Sequence, residues 1–245
     1  MSEQKVAVVT GGSAGIGEAT CRALAKDGWK VVVAARRLEK CQQIADEIGG
    51  VAMELDVVDR GSVEKLAQLE RVDLLVNNGG IADPVNGPLA ELTLADWRKT
   101  IDSHLTGAFL MCRSAIPLLR DGGSIVNMAS TAALMGYGNI PAYAACKAGI
   151  AGMTRSLAID FQDKGYGIRV NALAPGGIET PMVMGISGRG GQTPMDIPEG
   201  PLPADALGHP KDVAGCVLFL ASDEARFLNG LTIPVDNGLW ARPHH

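Results

Sequence analysis

Tyr143 and Lys147 stand four residues apart in Tyr143-Ala-Ala-Cys-Lys147, and Ser130 precedes the tyrosine by thirteen residues. On a helix, positions i and i+4 share one face, so phenol and ammonium can act as a unit. A free phenol has a pKa near ~10, too high for ready proton exchange at neutral pH. A positive charge ~4 Å away is worth on the order of 4 kcal/mol at an effective dielectric of about 20, enough to lower that pKa by about two to three units before desolvation opposes it. The spacing therefore predicts Tyr143 as a general acid for ketone reduction, or a base for alcohol oxidation. Ser130 would hydrogen-bond the substrate oxygen. Lys147 follows directly on a run, 122–146, that contains no Asp, Glu, Lys or Arg, so its charge is expected beside apolar surroundings.

A second chemical signal lies near the N-terminus. Thr10-Gly11-Gly12-Ser13-Ala14-Gly15-Ile16-Gly17 follows an apolar run and opens a helical pattern. Glycines there let the backbone turn tightly and approach a pyrophosphate, whose charge the helix N-terminus meets. The end of the second apolar run reports on the ribose. A carboxylate at that point accepts hydrogen bonds from the ribose hydroxyls of NAD and repels a 2′-phosphate. Here the sequence reads Ala34-Ala35-Arg36-Arg37, with no carboxylate and two guanidinium groups able to grip a phosphate bidentately. That favours NADP, with NAD the alternative; the plainer reading makes both arginines solvated residues starting the next helix.

The elements that must position these groups alternate along the chain. Strands are predicted over 6–9, 30–34, 51–55, 73–76, 124–128, 168–173 and 231–235, and helices over 16–27, 38–48, 62–70, 94–119, 142–162 and 210–221. Strands apolar on both faces belong to a parallel sheet covered by helices on each side. The expectation is an α/β fold: a single doubly wound Rossmann domain spanning 1–245, with a central seven-stranded parallel sheet. The Gly- and Pro-rich stretch 181–208 reads as a flap over the substrate. Leu134, Met135 and Tyr137, with Met182, Met184, Ile186, Met195 and Ile197 of the flap, are candidate pocket residues. Arg189, Asp196 and Glu199 are its only charges before Asp205. Methionines adapt to irregular apolar shapes, so a neutral alcohol or ketone with an apolar body is the expected substrate. The Gly188-Arg189-Gly190-Gly191 tip suggests closure over the site.

Composition excludes several classes. The 245 residues are 47% hydrophobic and 20% charged, which suits a well-buried core and excludes a disordered chain. A net charge of −5 offers no basic footprint for nucleic acid. Glycine, asparagine and proline break the uncharged run 122–146, so no membrane span is expected. Five cysteines without a C-x-x-C pair argue against a disulfide framework and for a reducing, cytoplasmic compartment. Four histidines, two at the extreme C-terminus, assemble no metal site.

The chain resembles the short-chain dehydrogenase/reductase family along nearly its whole length. The first turn matches T-G-x-x-x-G-x-G, and Asn77-Asn78-Gly79-Gly80 is similar to N-N-A-G with a glycine in place of alanine. Ser130, Tyr143 and Lys147 fall in the family's catalytic order and spacing. The resemblance implies that Gly11, Gly15 and Gly17 hold the pyrophosphate, with Ser13 and Ile16 in the same turn. Arg36 and Arg37 would meet the 2′-phosphate, Asp56 and Val57 the adenine, Asn78 and Gly79 the ribose side. Pro175, Gly176, Ile178 and Thr180 would face the nicotinamide, while Tyr143 and Lys147 also touch the cofactor. The family's N-x-T-G segment reads His104-Leu105-Thr106-Gly107 here. His104 is either a packed helix residue behind the site or a proton-relay member that titrates near neutrality. Asp236-Asn237-Gly238 is similar to a D-G-G tail, which implies a homo-oligomer, dimer or tetramer. A 3-oxoacyl-thioester reductase and a non-catalytic dinucleotide sensor are the alternative functions.

Overall fold

Valine-rich runs with no polar face can be strands only where helices cover both sides of the sheet. That is how they are used. In the computed structural model, which describes residues 3–81, 87–186 and 206–242, seven strands form one parallel sheet. They are β1 (Val6–Thr10), β2 (Lys30–Ala35), β3 (Val51–Glu54), β4 (Val72–Asn77), β5 (Leu119–Met128), β6 (Arg169–Pro175) and β7 (Thr232–Val235). Their order is β3-β2-β1-β4-β5-β6-β7, so the winding direction reverses between β1 and β4. In such sheets the crevice beyond the strand ends at the reversal is where ligands bind.

The period of two is visible in the core. Val9, Val33, Leu74 and Val76 point to one face, against Leu24 of α1 (Gly15–Lys26), Ile44 of α2 (Leu38–Ile48) and Val217 of α8 (Pro210–Ala221). Val8, Val32, Leu75 and Ile125 point to the other, against Met111 of α5 (Gly107–Ala115) and Phe161 of α6 (Pro141–Asp163). A one-residue slip in any central strand would exchange its two faces.

Two predicted helices are interrupted. The 62–70 segment is a single α-turn, α3 (Arg60–Val63), followed by a 3-10 turn over Glu64–Gln68. The 94–119 segment is α4 (Leu94–Ile101), then a wider π-turn over Asp102–Thr106, then α5. The wide turn carries both Ser103 and His104 inward, where they are buried. Such turns cost regularity and recur at functional sites. Pro117 sits in the 3-10 turn that closes this region, and β5 starts at Leu119, earlier than 124, with a register shift against β4 between Val72 and Leu74. The short helix α7 (Pro181–Ile186) opens the 181–208 stretch, whose residues 187–205 lie outside the described residues. That includes Arg189, Met195, Asp196, Ile197, Glu199 and the Gly188–Gly191 tip.

The uncharged run becomes the end of β5, a 3-10 turn (Thr131–Ala133) and the start of α6. Among the described residues, no helix is long and apolar enough to cross a membrane. All five cysteines are free thiols.

Beneath the site, a buried polar tie joins β4, β5 and α6. Asn77 Nδ2 donates to Asn127 Oδ1 (2.8 Å), and Asn127 Nδ2 donates to Thr154 Oγ1 (2.9 Å). Replacing Asn127 with Ala removes both bonds in a dry interior, leaving Asn77 Nδ2 only the weaker acceptor Cys112 Sγ (3.1 Å), and unsatisfied buried groups cost about 1–3 kcal/mol each. N127A is expected to lose at least about 2 kcal/mol of unfolding free energy in urea titrations; a loss under about 0.5 kcal/mol would discount the tie.

Candidate active site

Thr10 ends β1 as a buried hydroxyl on an otherwise apolar strand, and its bonds explain why. Thr10 Oγ1 accepts from the backbone N–H of Asn78 (3.0 Å) and Gly79 (2.8 Å), and donates to Val76 O (3.3 Å). Asn78 Nδ2 donates in return to Thr10 O (3.0 Å) and Gly11 O (3.4 Å). The glycine turn after β1 is thus stapled to the end of β4 across the reversal. Asn78 lines the cleft there, but its amide nitrogen is already spent on the turn. Thr10 was legible in sequence only as the first letter of the motif, without a role.

The turn itself needs its glycines for definite reasons. Gly11 takes φ +65°. A Cβ on Gly17 would stand 2.2 Å from Gly11 O, so α1 can enter at this angle only with glycine there. Ala14, the N-cap of α1, supplies no side-chain oxygen to the helix. The first-turn N–H groups therefore face the cleft as anion donors.

That cleft encloses about 630 Å³. Gly11, Ser13, Gly15 and Ile16 form its floor, and Arg36 and Arg37 stand at the end of β2. Asp56 and Val57 follow β3, Asn78 and Gly79 follow β4, and Thr180 and Met182 close the far side. Ala35 and Gly80 of the quoted motifs also line it, together with Leu55, Val58, Ile81 and Ser103, which the motifs did not mark. Arg37 Nη2 donates to Ser13 Oγ (3.2 Å), whereas Arg36 has no ion pair among the described residues. One oxygen of Asp56 accepts from Val58 N (3.2 Å). Small size at Ala35, donors at the helix start and an elongated polar-rimmed cleft fit a dinucleotide.

Four cofactor residues expected from the motifs, Gly17, Pro175, Gly176 and Ile178, are not among those lining the cleft. Gly17 acts through the turn rather than on the cleft wall. Pro175 and Gly176 pair with the end of β7, where Gly176 N donates to Val235 O (3.0 Å). The side chain of Ile178 is buried in the core with Val213 and Val217.

Ser130, Tyr143 and Lys147 come together where β5 ends and α6 begins. Ser130 Oγ accepts from Ala132 N (3.2 Å), and its hydroxyl lies close enough to the Tyr143 phenol to favour the phenolate. Lys147, only 6% exposed, donates through Nζ to Met128 O (2.8 Å) and lies 5.4 Å from the centroid of the Tyr143 ring. No sequence pattern marks Met128, because its contribution is a backbone carbonyl. Tyr137 shares a hydrogen bond with Thr131 Oγ1 (3.0 Å) and has Met135 Sδ at 3.6 Å, and Leu134 packs on the small cluster beneath.

The electrostatics correct two expectations. The net effect on Tyr143 is upward: burial raises the phenol above the ordinary value of 10, opposed by Ser130. The ammonium of Lys147 is itself desolvated, to a pKa of about 8, and donates to Met128 O. His104 does not titrate near neutrality either. Burial, then the charge of Lys147, push it down to about 3, so the imidazole is neutral at any physiological pH.

This arrangement has close counterparts. Residues 11–240 match the family model described as enoyl-(acyl carrier protein) reductase. The chain is 39% identical over 252 residues to a cis-4-hydroxycyclohexanecarboxylate dehydrogenase of Sinomonas cyclohexanicum, covering 97% of each. It is 36% identical to a cyclohexanol dehydrogenase of Acinetobacter sp. (strain SE19), covering 95% of this chain and 93% of that one. Among solved structures it superposes on a levodione reductase with a TM-score of 0.87 at 31% identity, covering 98% of both chains. The fold and site are those of a nicotinamide-dependent oxidoreductase of CH–OH groups. The chain belongs to the short-chain dehydrogenase/reductase family.

Two measurements follow from this geometry. Gly17→Ala is expected to weaken dinucleotide binding at least about tenfold in fluorescence titrations, since the Cβ meets backbone rather than a movable side chain. As pH falls below 6.5 the unfolded chain protonates His104 before the folded one does, so stability present above 6.5 is lost on the way to about 3. His104→Asn removes that slope, which is at most about 1.4 kcal/mol per pH unit. Urea midpoints of wild type and H104N between pH 6.5 and 4 should therefore converge; parallel curves would count against the buried neutral imidazole.

Proposed function

We propose that the protein is an NADP-dependent carbonyl reductase or alcohol dehydrogenase for a secondary alcohol or ketone with an apolar, cyclic body. The observation that carries this is the convergence of Ser130, the Tyr143 phenol and the Lys147 ammonium where β5 ends and α6 begins. A bound nicotinamide supplies or accepts hydride at the carbonyl carbon. Ser130 holds the substrate oxygen by hydrogen bond. Tyr143, held protonated at neutral pH by its burial, donates the proton that turns that oxygen into hydroxyl. Lys147, anchored by Met128 O, keeps a positive charge beneath the ring, favouring the phenolate left behind.

Preference for NADP is supported by Ala35 in place of a carboxylate and by Arg36 standing unpaired at the rim while Ser13 steadies Arg37. A cyclic alcohol or ketone is supported by the substrates named for the relatives and by Met182 and Met184 beside the site. A homo-oligomer is supported by the exposed Phe227 (97%) and Trp240 beside the edge strand β7. Five free thiols support a reducing, cytoplasmic setting.

With NADPH and cyclohexanone, Tyr143→Phe is expected to lose at least about a thousandfold in kcat while retaining NADPH binding. Arg36→Ala should raise the KM for NADPH about tenfold and leave that for NADH unchanged. Because the phenol pKa is raised, alcohol oxidation should climb with pH into the alkaline range while ketone reduction stays level through neutrality. A wild type that binds NADPH yet oxidises it with no ketone in a broad panel would indicate the dinucleotide sensor instead.

A further inference from the structure

His104 is 3% exposed, and neither ring nitrogen has a hydrogen-bond partner among the described residues. A buried imidazole is normally oriented by a bond to one nitrogen. Here packing does that job from two sides. One side is Tyr143, whose ring meets the imidazole edge-on, with centroids 5.3 Å apart and planes at 89°. The other is Gly80, where an added Cβ would stand 2.5 Å from Cε1 and 2.7 Å from Nδ1 of His104. The backbone of Gly80 does not lie in the left-handed region, so its conformation would accept alanine. Only the imidazole forbids a side chain there.

We infer that Gly80 and His104 form a reciprocal pair: the bare backbone at 80 seats the imidazole, and the seated imidazole fixes the angle of the Tyr143 ring. His104 is thereby a positioning residue for the proton donor, acting by shape rather than as a relay. The inference rests on the reading of Tyr143 as that donor. Its neutrality agrees with this role, since an uncharged ring can press edge-on against the phenol without adding a second positive charge beside Lys147. The same placement makes the wall between the dinucleotide cleft and His104 one backbone thick, because Gly80 lines that cleft.

A double-mutant cycle tests the pair, with NADPH and cyclohexanone as probes. His104→Ala removes an edge-to-face contact and should lower kcat about three- to tenfold, leaving KM for the ketone and Kd for NADPH within about twofold. Gly80→Ala drives its methyl group into the imidazole and should lower kcat at least about tenfold. In the double variant there is nothing left to strike, so its kcat should return to that of H104A. Multiplied losses in the double variant, or an unaffected G80A, would overturn the inference. A G80A defect arising in the dinucleotide cleft would raise Kd for NADPH and would not be rescued, which also overturns it. If G80A does not fold, the thermal midpoint decides: a folded double variant supports the pair and an unfolded one refutes it. Wild-type inactivity would sink the proposed reaction alone, because the thermal-midpoint cycle reads the Gly80–His104 contact without turnover.

Discussion

A hydroxyl at the end of β1 holds the two halves of the sheet in register where the site is built. Thr10 bonds the backbone of Asn78 and Gly79, and Asn78 returns the bond to the glycine turn. Parallel strands buried on both faces bring their loops to two ends only, and the order reversal between β1 and β4 leaves a gap between those loops at one end. A gap alone would be soft. The Thr10–Asn78 staple makes its floor rigid, and the cleft walls are then set by strand ends whose spacing the sheet already dictates.

The second half of the site is organised by desolvation. Lys147 is buried deeply enough that its ammonium needs a partner, and the nearest acceptor is the carbonyl of Met128, where β5 finishes. That bond ties α6 to the sheet and places Tyr143 one helical turn away, next to Ser130. The cost of burying the lysine appears as its depressed pKa, and the same dryness raises the phenol. Proton donation therefore depends on a phenol kept neutral by its surroundings, with a cation close enough to soften the loss of its proton. Charge is poised here by balance between burial and proximity, and burial has the larger share.

Much of this was legible from side-chain types and spacing. Alternating apolar runs announced the parallel sheet because only double-sided burial tolerates them, and the first-turn glycines announced a close backbone approach that Gly17 and Gly11 O make real. The tyrosine and lysine could be paired because helix geometry puts i and i+4 on one face regardless of context. Where local pattern meets long-range packing, sequence periodicity carries less. The 94–119 periodicity gave no hint of the π-turn, because the extra residue is needed only to turn Ser103 and His104 toward partners far away in sequence. Ile178 sits inside a motif segment yet packs into the core.

Residue types and their intervals were sufficient for the architecture and the family, since those follow from local geometry and from burial patterns along the chain. The protonation states were not within reach of sequence. They depend on how much water each group loses and which charges it meets, and for Tyr143, Lys147 and His104 those are sums over elements that folding alone brings together. The same holds for the seat that Gly80 offers His104: two residues 24 positions apart acquire a relation only when the segment after β4 meets the π-turn.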